Sequence, residues 1–202
     1  IINQYTEFIA YSVSESDEGI YDAWNKGISA ARGDWISFLG ADDYLMPDSL
    51  KLFADFISNN QDLDYISARV CLRSANGASR IIGMPWEWAK FKHFMGTAHV
   101  GSMHASSLFK KYGTFSLKYS ICADYEFFIR IGPTLKAGYI NQVVAIMQAG
   151  GLSQSSLQPI VQTRKIKIEA KVVSRLRANW DFVLAVIKWI IRHSIHSNFF
   201  AK

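Results

Sequence analysis

The chain has 202 residues, half of them hydrophobic and 14% aromatic, which supports a buried core and excludes an intrinsically disordered protein. Its net charge of +5 is uneven, because residues 159–202 carry nine Lys/Arg against two Asp/Glu, whereas residues 1–158 carry 13 against 15. The acidic body argues against a nucleic-acid partner, and the basic tail favours an anionic membrane surface.

The first half of the chain alternates patterns typical of strands and helices. Residues 6–13 predict a strand, and the apolar spacing over residues 20–32 predicts an amphipathic helix. A mostly buried strand is expected at residues 34–39, and Pro47 opens a second helix.

The second half continues the alternation with further strands and a short helix at residues 124–131. The strands are predicted at residues 63–72, 80–83, 104–109 and 138–147, with a hairpin turn at Asn76-Gly77. This order predicts an α/β domain over residues 1–157 with a mainly parallel central sheet.

Residues 158–202 are expected to form a separate helical tail, basic over residues 158–177 and apolar over residues 180–191. The apolar part is shorter than the roughly 20 residues that span a bilayer. Two interpretations stay open. The helix lies in a membrane interface with Trp180 and Trp189 at headgroup level, or it packs on the domain.

Two adjacent carboxylates, Asp42 and Asp43, leave the buried strand at residues 34–39. Ligands of open α/β sheets bind at the carboxyl ends of strands. Because neighbouring acids repel each other, a cation is expected to compensate them. Mg²⁺ or Mn²⁺ shared with substrate phosphates would do so, although such a pair alone is more typical of a turn or a helix cap.

The residues around this pair resemble the family 2 glycosyltransferases of bacterial polysaccharide synthesis. The resemblance is close over residues 14–43 and rests on Ser14-Glu15-Ser16-Asp17-Glu18-Gly19-Ile20-Tyr21-Asp22-Ala23-Trp24-Asn25-Lys26-Gly27, Ala31-Arg32-Gly33-Asp34 and Phe38-Leu39-Gly40-Ala41-Asp42-Asp43. Looser similarity follows at His104-Ala105-Ser106-Ser107-Leu108-Phe109, Ala123-Asp124-Tyr125-Glu126 and Gly150-Gly151-Leu152-Ser153.

The resemblance implies a GT-A fold and an inverting, metal-dependent transfer of a sugar from a nucleotide-diphosphate sugar to an acceptor hydroxyl. Asp43 would hold the metal, and Asp42 would lie near the ribose or a second metal position. Asp124 would be the general base, and Glu126 would hold the acceptor. Capping of its own helix is the competing interpretation of Asp124.

Four further residues are candidates for substrate binding. Asp22, Asn25 and Lys26 share one face of the first helix, and the resemblance suggests that this face borders the donor pocket. A solvated helix face is the alternative. His104 is a candidate for contact with acceptor or phosphate, against a purely structural role.

The family's usual first strands and their nucleotide-binding segments have no counterpart here, so the chain is interpreted as lacking its first βα units. The acceptor is expected to be a glycan or a lipid-linked molecule in bacterial cell-surface polysaccharide synthesis, and the location cytoplasmic, at the inner face of the plasma membrane. Two alternatives stay open: a metal-dependent nucleotidyltransferase, and a non-catalytic protein or fragment derived from a glycosyltransferase.

Overall fold

The structure is a computed structural model that describes residues 2–151 and 156–199, with side chains as far as Arg192. Two short 3-10 turns, Ile2–Gln4 and Thr6–Phe8, precede the first helix. The elements that follow are α1 Ile20–Ala30, β1 Trp35–Ile36, β2 Tyr44–Leu45, α2 Ser49–Ser58, β3 Tyr65–Arg73, β4 Ser79–Ile82, α3 Trp88–Phe91, β5 Ser102–Ala105, α4 Ser106–Tyr112, α5 Ala123–Ile131, β6 Ala137–Gln148, α6 Gln158–Glu169 and α7 Arg175–Phe199.

The six strands of the described chain form one mixed sheet in the order β1-β5-β3-β6-β2, with β4 also paired to β3. Only β3 and β6 run parallel, so the expectation of a mainly parallel sheet is wrong. The reason lies in the connections. The path from β3 to β6 contains α4 and α5, long enough for a crossover, whereas β4 follows β3 through a tight turn that reverses the chain.

Three predicted segments before residue 158 differ from the structure. Residues 6–13 form a 3-10 turn and an exposed segment without regular structure, because no described strand pairs with them. The strand predicted at residues 104–109 ends at Ala105, and helix α4 follows because Leu108 and Phe109 turn into the core. The strand predicted at residues 34–39 is shortened to Trp35–Ile36.

The core lies on both faces of the sheet. One cluster packs α1, α4 and α5 against one face around Tyr65, Phe127 and Phe128, all fully buried. The other cluster centres on Phe53 of α2 and Val144 of β6. The fold is therefore the predicted α/β type, with helices covering a central sheet.

Helix α6 packs against the domain rather than apart from it. Ile166 is buried in the cluster with α5, and the Gln162 side-chain oxygen accepts N–H hydrogen bonds from Ile121 and Cys122 at 3.1 Å each. The Cys122 thiol is buried beneath α6, and burial raises its pKa to about 12. The predicted helix at residues 158–177 is divided by residues 170–174 into α6 and α7. Within the described ranges, no helix is long and apolar enough to cross a membrane.

Candidate functional site

Asp124 lies at the first turn of α5, between α5 and α1. Its Oδ1 accepts two hydrogen bonds, from the Tyr21 hydroxyl at 2.9 Å and from the Tyr125 N–H at 2.8 Å. The side chain is partly buried, and no described hydrogen bond occupies Oδ2. One oxygen is thus fixed by the protein, while the other has no described hydrogen-bond partner.

Burial raises the pKa of Asp124 above its usual value, because an ionised carboxylate loses hydration there. The hydrogen bonds from Tyr125 and Tyr21 oppose this rise, since they stabilise the charged form. Burial and the neighbouring Asp124 carboxylate raise the pKa of Tyr21, so its hydroxyl keeps its proton and remains a donor. A carboxylate of raised pKa, held in one orientation, suits proton abstraction.

Asp43 is positioned by the end of strand β6 and by the segment between β1 and β2. Its Oδ1 accepts the N–H of Gln148 at the end of β6 at 3.0 Å, and its Oδ2 accepts the N–H of Gly40 at 3.2 Å. Asp42 is exposed in the turn beside it. A Cβ on Gly40 would lie 2.6 Å from the Asp43 Oδ2 and 3.3 Å from an oxygen of Asp42, so both carboxylates converge on the space above Gly40.

This convergence fits a divalent cation held partly by substrate. Each Asp43 oxygen keeps a lone pair beyond its single hydrogen bond, and Asp42 supplies a second carboxylate. The described residues contain no group of three or more His, Cys, Asp or Glu side chains that could hold a metal ion. The two carboxylates of Asp42 and Asp43 are a donor set that suits Mg²⁺, which is usually bound through one or two carboxylates together with substrate phosphates.

A stack of rings connects α1 to the strand end that leads to Asp43. Trp24 of α1 stacks on His99 at 4.7 Å between ring centroids and contacts Phe38 at 4.8 Å. Phe38 is buried two residues before Gly40, and Tyr21, which holds Asp124, contacts Trp24 at 5.3 Å. The packing of α1 therefore fixes both the candidate base and the start of the acidic turn.

Of the three α1 residues predicted to border the donor pocket, two lie close together in the structure. Lys26 forms ion pairs with Glu15 at 2.7 Å, Asp17 at 2.6 Å and Asp22 at 3.4 Å, and these partners, Asp17 first, raise its pKa. The N–H of Glu18 lowers the pKa of Asp22, with a smaller contribution from Lys26. Asp22 and Lys26 are thus brought together as predicted, at the junction of α1 with the segment before it.

Asn25 points elsewhere. Its side-chain amide donates to the Phe115 carbonyl at 2.9 Å, and its oxygen accepts the Phe115 N–H at 3.0 Å. This pair of bonds fastens α1 to the loop before α5, which is a structural role. Substrate binding by Asn25 stays a prediction without a contact that supports it.

His104 lies in the core, fully buried between Tyr65 and Phe128. Burial lowers its pKa well below the usual value, so the ring is neutral, and its Nδ1 donates to the Ile36 carbonyl at 3.3 Å. A neutral, enclosed imidazole is poorly suited to phosphate, and its predicted substrate role has no support from these contacts.

Glu126 forms a two-point ion pair with Arg130, at 3.2 and 2.9 Å, which the spacing of the two residues on α5 predicts. Arg130 also donates to the backbone carbonyls of Tyr112 and Thr114. Contact of Glu126 with an acceptor stays a prediction. Leu152 and Ser153 of the predicted Gly-Gly-Leu-Ser segment lie outside the described residues.

Sequence reasoning missed three parts of this site: the Tyr21 hydroxyl, the Gly40 contact surface and the Gln148 N–H. Tyr21 and Gly40 both lie within residues 14–43, where the resemblance to the family is close, so their position in that motif could have indicated a role in the site. A backbone N–H such as that of Gln148 has no sequence signature, because every residue except proline carries one.

Comparison with known proteins identifies the family and the fold of this chain. The sequence model described as Glycosyl transferase family 2 matches residues 1–117. A PGL/p-HBAD biosynthesis glycosyltransferase of Mycobacterium bovis (strain BCG / Pasteur 1173P2) is 34% identical over 145 residues, covering 70% of this chain and 56% of its own. An uncharacterized glycosyltransferase of Mycobacterium tuberculosis (strain ATCC 25618 / H37Rv) is 32% identical over 130 residues, 60% of this chain and 47% of its own.

The fold resembles that of S. aureus TarS, residues 1–349, crystallised in complex with UDP-GlcNAc. The TM-score is 0.63 at 14% identity, over 90% of this chain and 56% of that one. The likeness shows a GT-A fold. This chain spans about half the length of the curated relatives that it matches.

Proposed function

Because this chain belongs to glycosyltransferase family 2, we propose that its protein transfers a sugar from a nucleotide-diphosphate sugar to an acceptor hydroxyl. The observation that supports this reaction most is the state of Asp124: partly buried, of raised pKa, with Oδ1 fixed by Tyr21 and Tyr125. Such a carboxylate is prepared to accept a proton, which capping of a helix would not require.

The proposed reaction is a displacement at the anomeric carbon. Oδ2 of Asp124 accepts the proton of the acceptor hydroxyl while the acceptor oxygen forms a bond to the anomeric carbon. The bond from that carbon to the diphosphate breaks, and its electron pair leaves with the nucleoside diphosphate. Attack from the side opposite the leaving group inverts the configuration.

Asp43, with Asp42 beside it, would hold the divalent cation. When bound, Mg²⁺ or Mn²⁺ supplies charge neutralisation to the departing diphosphate. The task of the protein's own residues is to orient Asp43. The N–H groups of Gly40 and Gln148 orient Asp43 by donating one hydrogen bond to each of its carboxylate oxygens.

The test of the base uses Asp124→Asn in the protein that carries this chain. An asparagine oxygen can keep both hydrogen bonds of Oδ1, so the fold and donor binding should persist while transfer falls about 10²–10⁴-fold. Transfer is followed by release of nucleoside diphosphate, and donor binding by calorimetry. Unchanged transfer would contradict the proposal.

Thermal unfolding gives the matched control for that variant. In the unmodified chain the pKa of Asp124 is higher in the folded state than in the unfolded state, so the unfolded state loses its proton first as pH rises. The free energy of unfolding therefore falls as pH rises from the unfolded-state pKa through the folded-state pKa. In Asp124→Asn this loss of stability does not occur, because asparagine has no carboxyl group to titrate. It should therefore be at least as stable as the unmodified chain at neutral pH, with the difference vanishing in acid.

The test of the metal site is Asp43→Ala, with Mn²⁺ binding measured directly by calorimetry in the presence of nucleoside diphosphate. We expect the affinity to fall at least about 10-fold, the lower range for losing even an outer partner of a metal ligand. Asp55→Ala, which removes an exposed carboxylate paired with Lys51, is the control and should leave it unchanged.

The same assays separate the two alternatives. A nucleotidyltransferase would release pyrophosphate instead of a nucleoside diphosphate. A non-catalytic relative would tolerate both aspartate substitutions without loss of its function. A role in cell-surface polysaccharide synthesis, with a glycan or lipid-linked acceptor and a cytoplasmic location, stays a prediction.

A further inference from the structure

One side of helix α7 is apolar and exposed to solvent. Its residues are spaced by three or four along the helix, which places them on a single face. They are Leu176, Trp180, Val183, Leu184, Ile187, Ile190 and Ile191, and between 39% and 83% of each is exposed. We refer to this set as the apolar face of α7. A continuous exposed apolar surface of this size marks an interaction site.

The opposite side of α7 is the one that packs on the protein. Ala178 is fully buried, Asp181 accepts a hydrogen bond from the Lys167 ammonium at 3.0 Å, and the Arg164 guanidinium lies over the Phe182 ring. The helix is therefore docked on α6 through one face. The apolar face of α7 is left over after that docking is complete.

Positive charges lie at both ends of this face. Lys171 and Arg175 are exposed where α7 begins, and Lys188 and Arg192 are exposed near its described end. Residues 159–202 contain only two acidic residues, Glu169 and Asp181. Asp181 is tied to Lys167, and Glu169 to Lys118 and Tyr119. The surroundings of the apolar face of α7 are thus strongly cationic.

We propose that α7 lies flat on an anionic lipid bilayer, with its apolar face in the headgroup–acyl boundary. From Leu176 to Ile191 the helix rises about 22 Å, less than the about 30 Å of a bilayer's hydrocarbon core, so the face suits the plane of the membrane. Trp180 is a residue type favoured at that boundary, and lysine and arginine side chains extend from it to phosphate groups.

The charges favour lipid over a second copy of the chain. A symmetric dimer brings the same surface of both copies together. With cations at both ends of the face, parallel and antiparallel pairings alike would oppose cation to cation. An anionic surface instead complements every one of them. This inference concerns attachment only and does not depend on the proposed reaction.

The test is flotation of the 202-residue chain with vesicles of phosphatidylcholine, alone and mixed with phosphatidylglycerol. We expect binding to the mixed vesicles, weakened at about 1 M salt, where the Debye length is about 3 Å. Ile187→Glu places a charge in the middle of the face and should lower the partition coefficient at least about 10-fold. Because Ile187 is exposed, circular dichroism and thermal unfolding should remain unchanged.

Leu50→Glu is the matched control, since Leu50 is an exposed apolar residue of another helix, α2, and its substitution should leave flotation unaltered. The proposal is overturned if the chain fails to float with the mixed vesicles, or if Ile187→Glu floats as well as the unmodified chain. It is also overturned if the chain sediments as a dimer that Ile187→Glu dissociates, because the face would then be a subunit interface.

Discussion

The Tyr21 hydroxyl has one proton and two acceptors, the Ile121 carbonyl at 2.6 Å and Oδ1 of Asp124 at 2.9 Å. It thereby links the candidate base to the loop in front of α5. Tyr21 is 5% exposed, so this link is shielded from water and depends on the packing of α1. We regard Tyr21 as a positioning residue that acts through Asp124.

Tyr21→Phe should shift the pH dependence of transfer toward higher pH. The hydrogen bond from Tyr21 lowers the pKa of Asp124, so its removal lets burial raise that pKa further, and the base ionises later as pH increases. Stability should fall by about 1–3 kcal/mol, since a buried polar group loses its partner. The measurements are a pH–rate profile and urea unfolding.

Tyr125→Phe separates positioning from stability. Its hydroxyl is also buried, but it donates to the Lys92 carbonyl at 2.9 Å and not to the carboxylate. A similar loss of stability with an unshifted pH profile is expected. If both variants shift the profile alike, the effect belongs to packing and not to the Tyr21 hydrogen bond.

The aspartates were predictable from sequence, whereas the contacts that hold them were not. Asp43 and Asp124 stand in recognisable motifs. Tyr21 and Asp124 are 103 residues apart, and nothing in either local pattern shows that they meet. His104 shows a further limit, because its motif made it a candidate for binding, whereas only the fold shows that its ring is enclosed.

At the scale of elements, β3 organises the sheet. Its first part pairs with β5 and its second part with β4, while β6 runs along its other edge. The chain leaves β4 through Gly83, which has a φ of +96° and passes close to Ala68 of β3. Only glycine fits such a crossing without displacing backbone.

Gly83→Ala should destabilise the protein by more than about 3 kcal/mol. A Cβ would lie 2.3 Å from the Ala68 carbonyl oxygen, so a clash with fixed backbone adds to the strain of the positive φ. Gly77→Ala is the control, with a φ of +84° but nothing within 4 Å of the added Cβ, and should lose about 1 kcal/mol. Equal losses in denaturant unfolding would show that space at Gly83 is irrelevant.

Individual elements were more predictable than their relations. Strands β3, β4 and β6 and helix α5 follow from periodicity and the Asn76-Gly77 turn. The direction in which β5 pairs does not, because it depends on the route of residues 84–101. Residues 6–13 have the composition of a strand, but composition supplies no pairing partner.

At the scale of the whole molecule, a buried ion pair joins the C-terminal helices to the domain. The Lys167 side chain is 3% exposed, and its ammonium meets Asp181 at 3.0 Å and the His93 carbonyl. Burial alone would raise the pKa of Asp181, but hydrogen bonds from His93 and Lys167 outweigh it and lower that pKa. The pair thus connects α6, α7 and the loop after α3.

Asp181→Ala should destabilise the protein by about 3–5 kcal/mol, because it leaves a buried ammonium without its anion. Burial lowers the pKa of Lys167, so the folded chain releases that proton first as pH rises, and the deficit should shrink toward alkaline pH. Thermal unfolding across pH measures this.

Arg177→Ala is the control for that substitution. It removes the exposed partner of Asp181, at 3.0 Å, and should change stability by no more than about 1 kcal/mol. Comparable losses for the two variants would mean that the buried position of Lys167 is unimportant.

The different burial of the two cysteines allows the rate at which α6 detaches from the domain to be measured. The Cys122 thiol lies under Pro159 and Thr163, and its high pKa keeps it protonated, whereas Cys71 is only half-buried in β3. A maleimide should therefore consume Cys71 first and reach Cys122 only in the instants when α6 lifts away. The second, slower uptake of reagent would report how often the C-terminal helices detach from the domain.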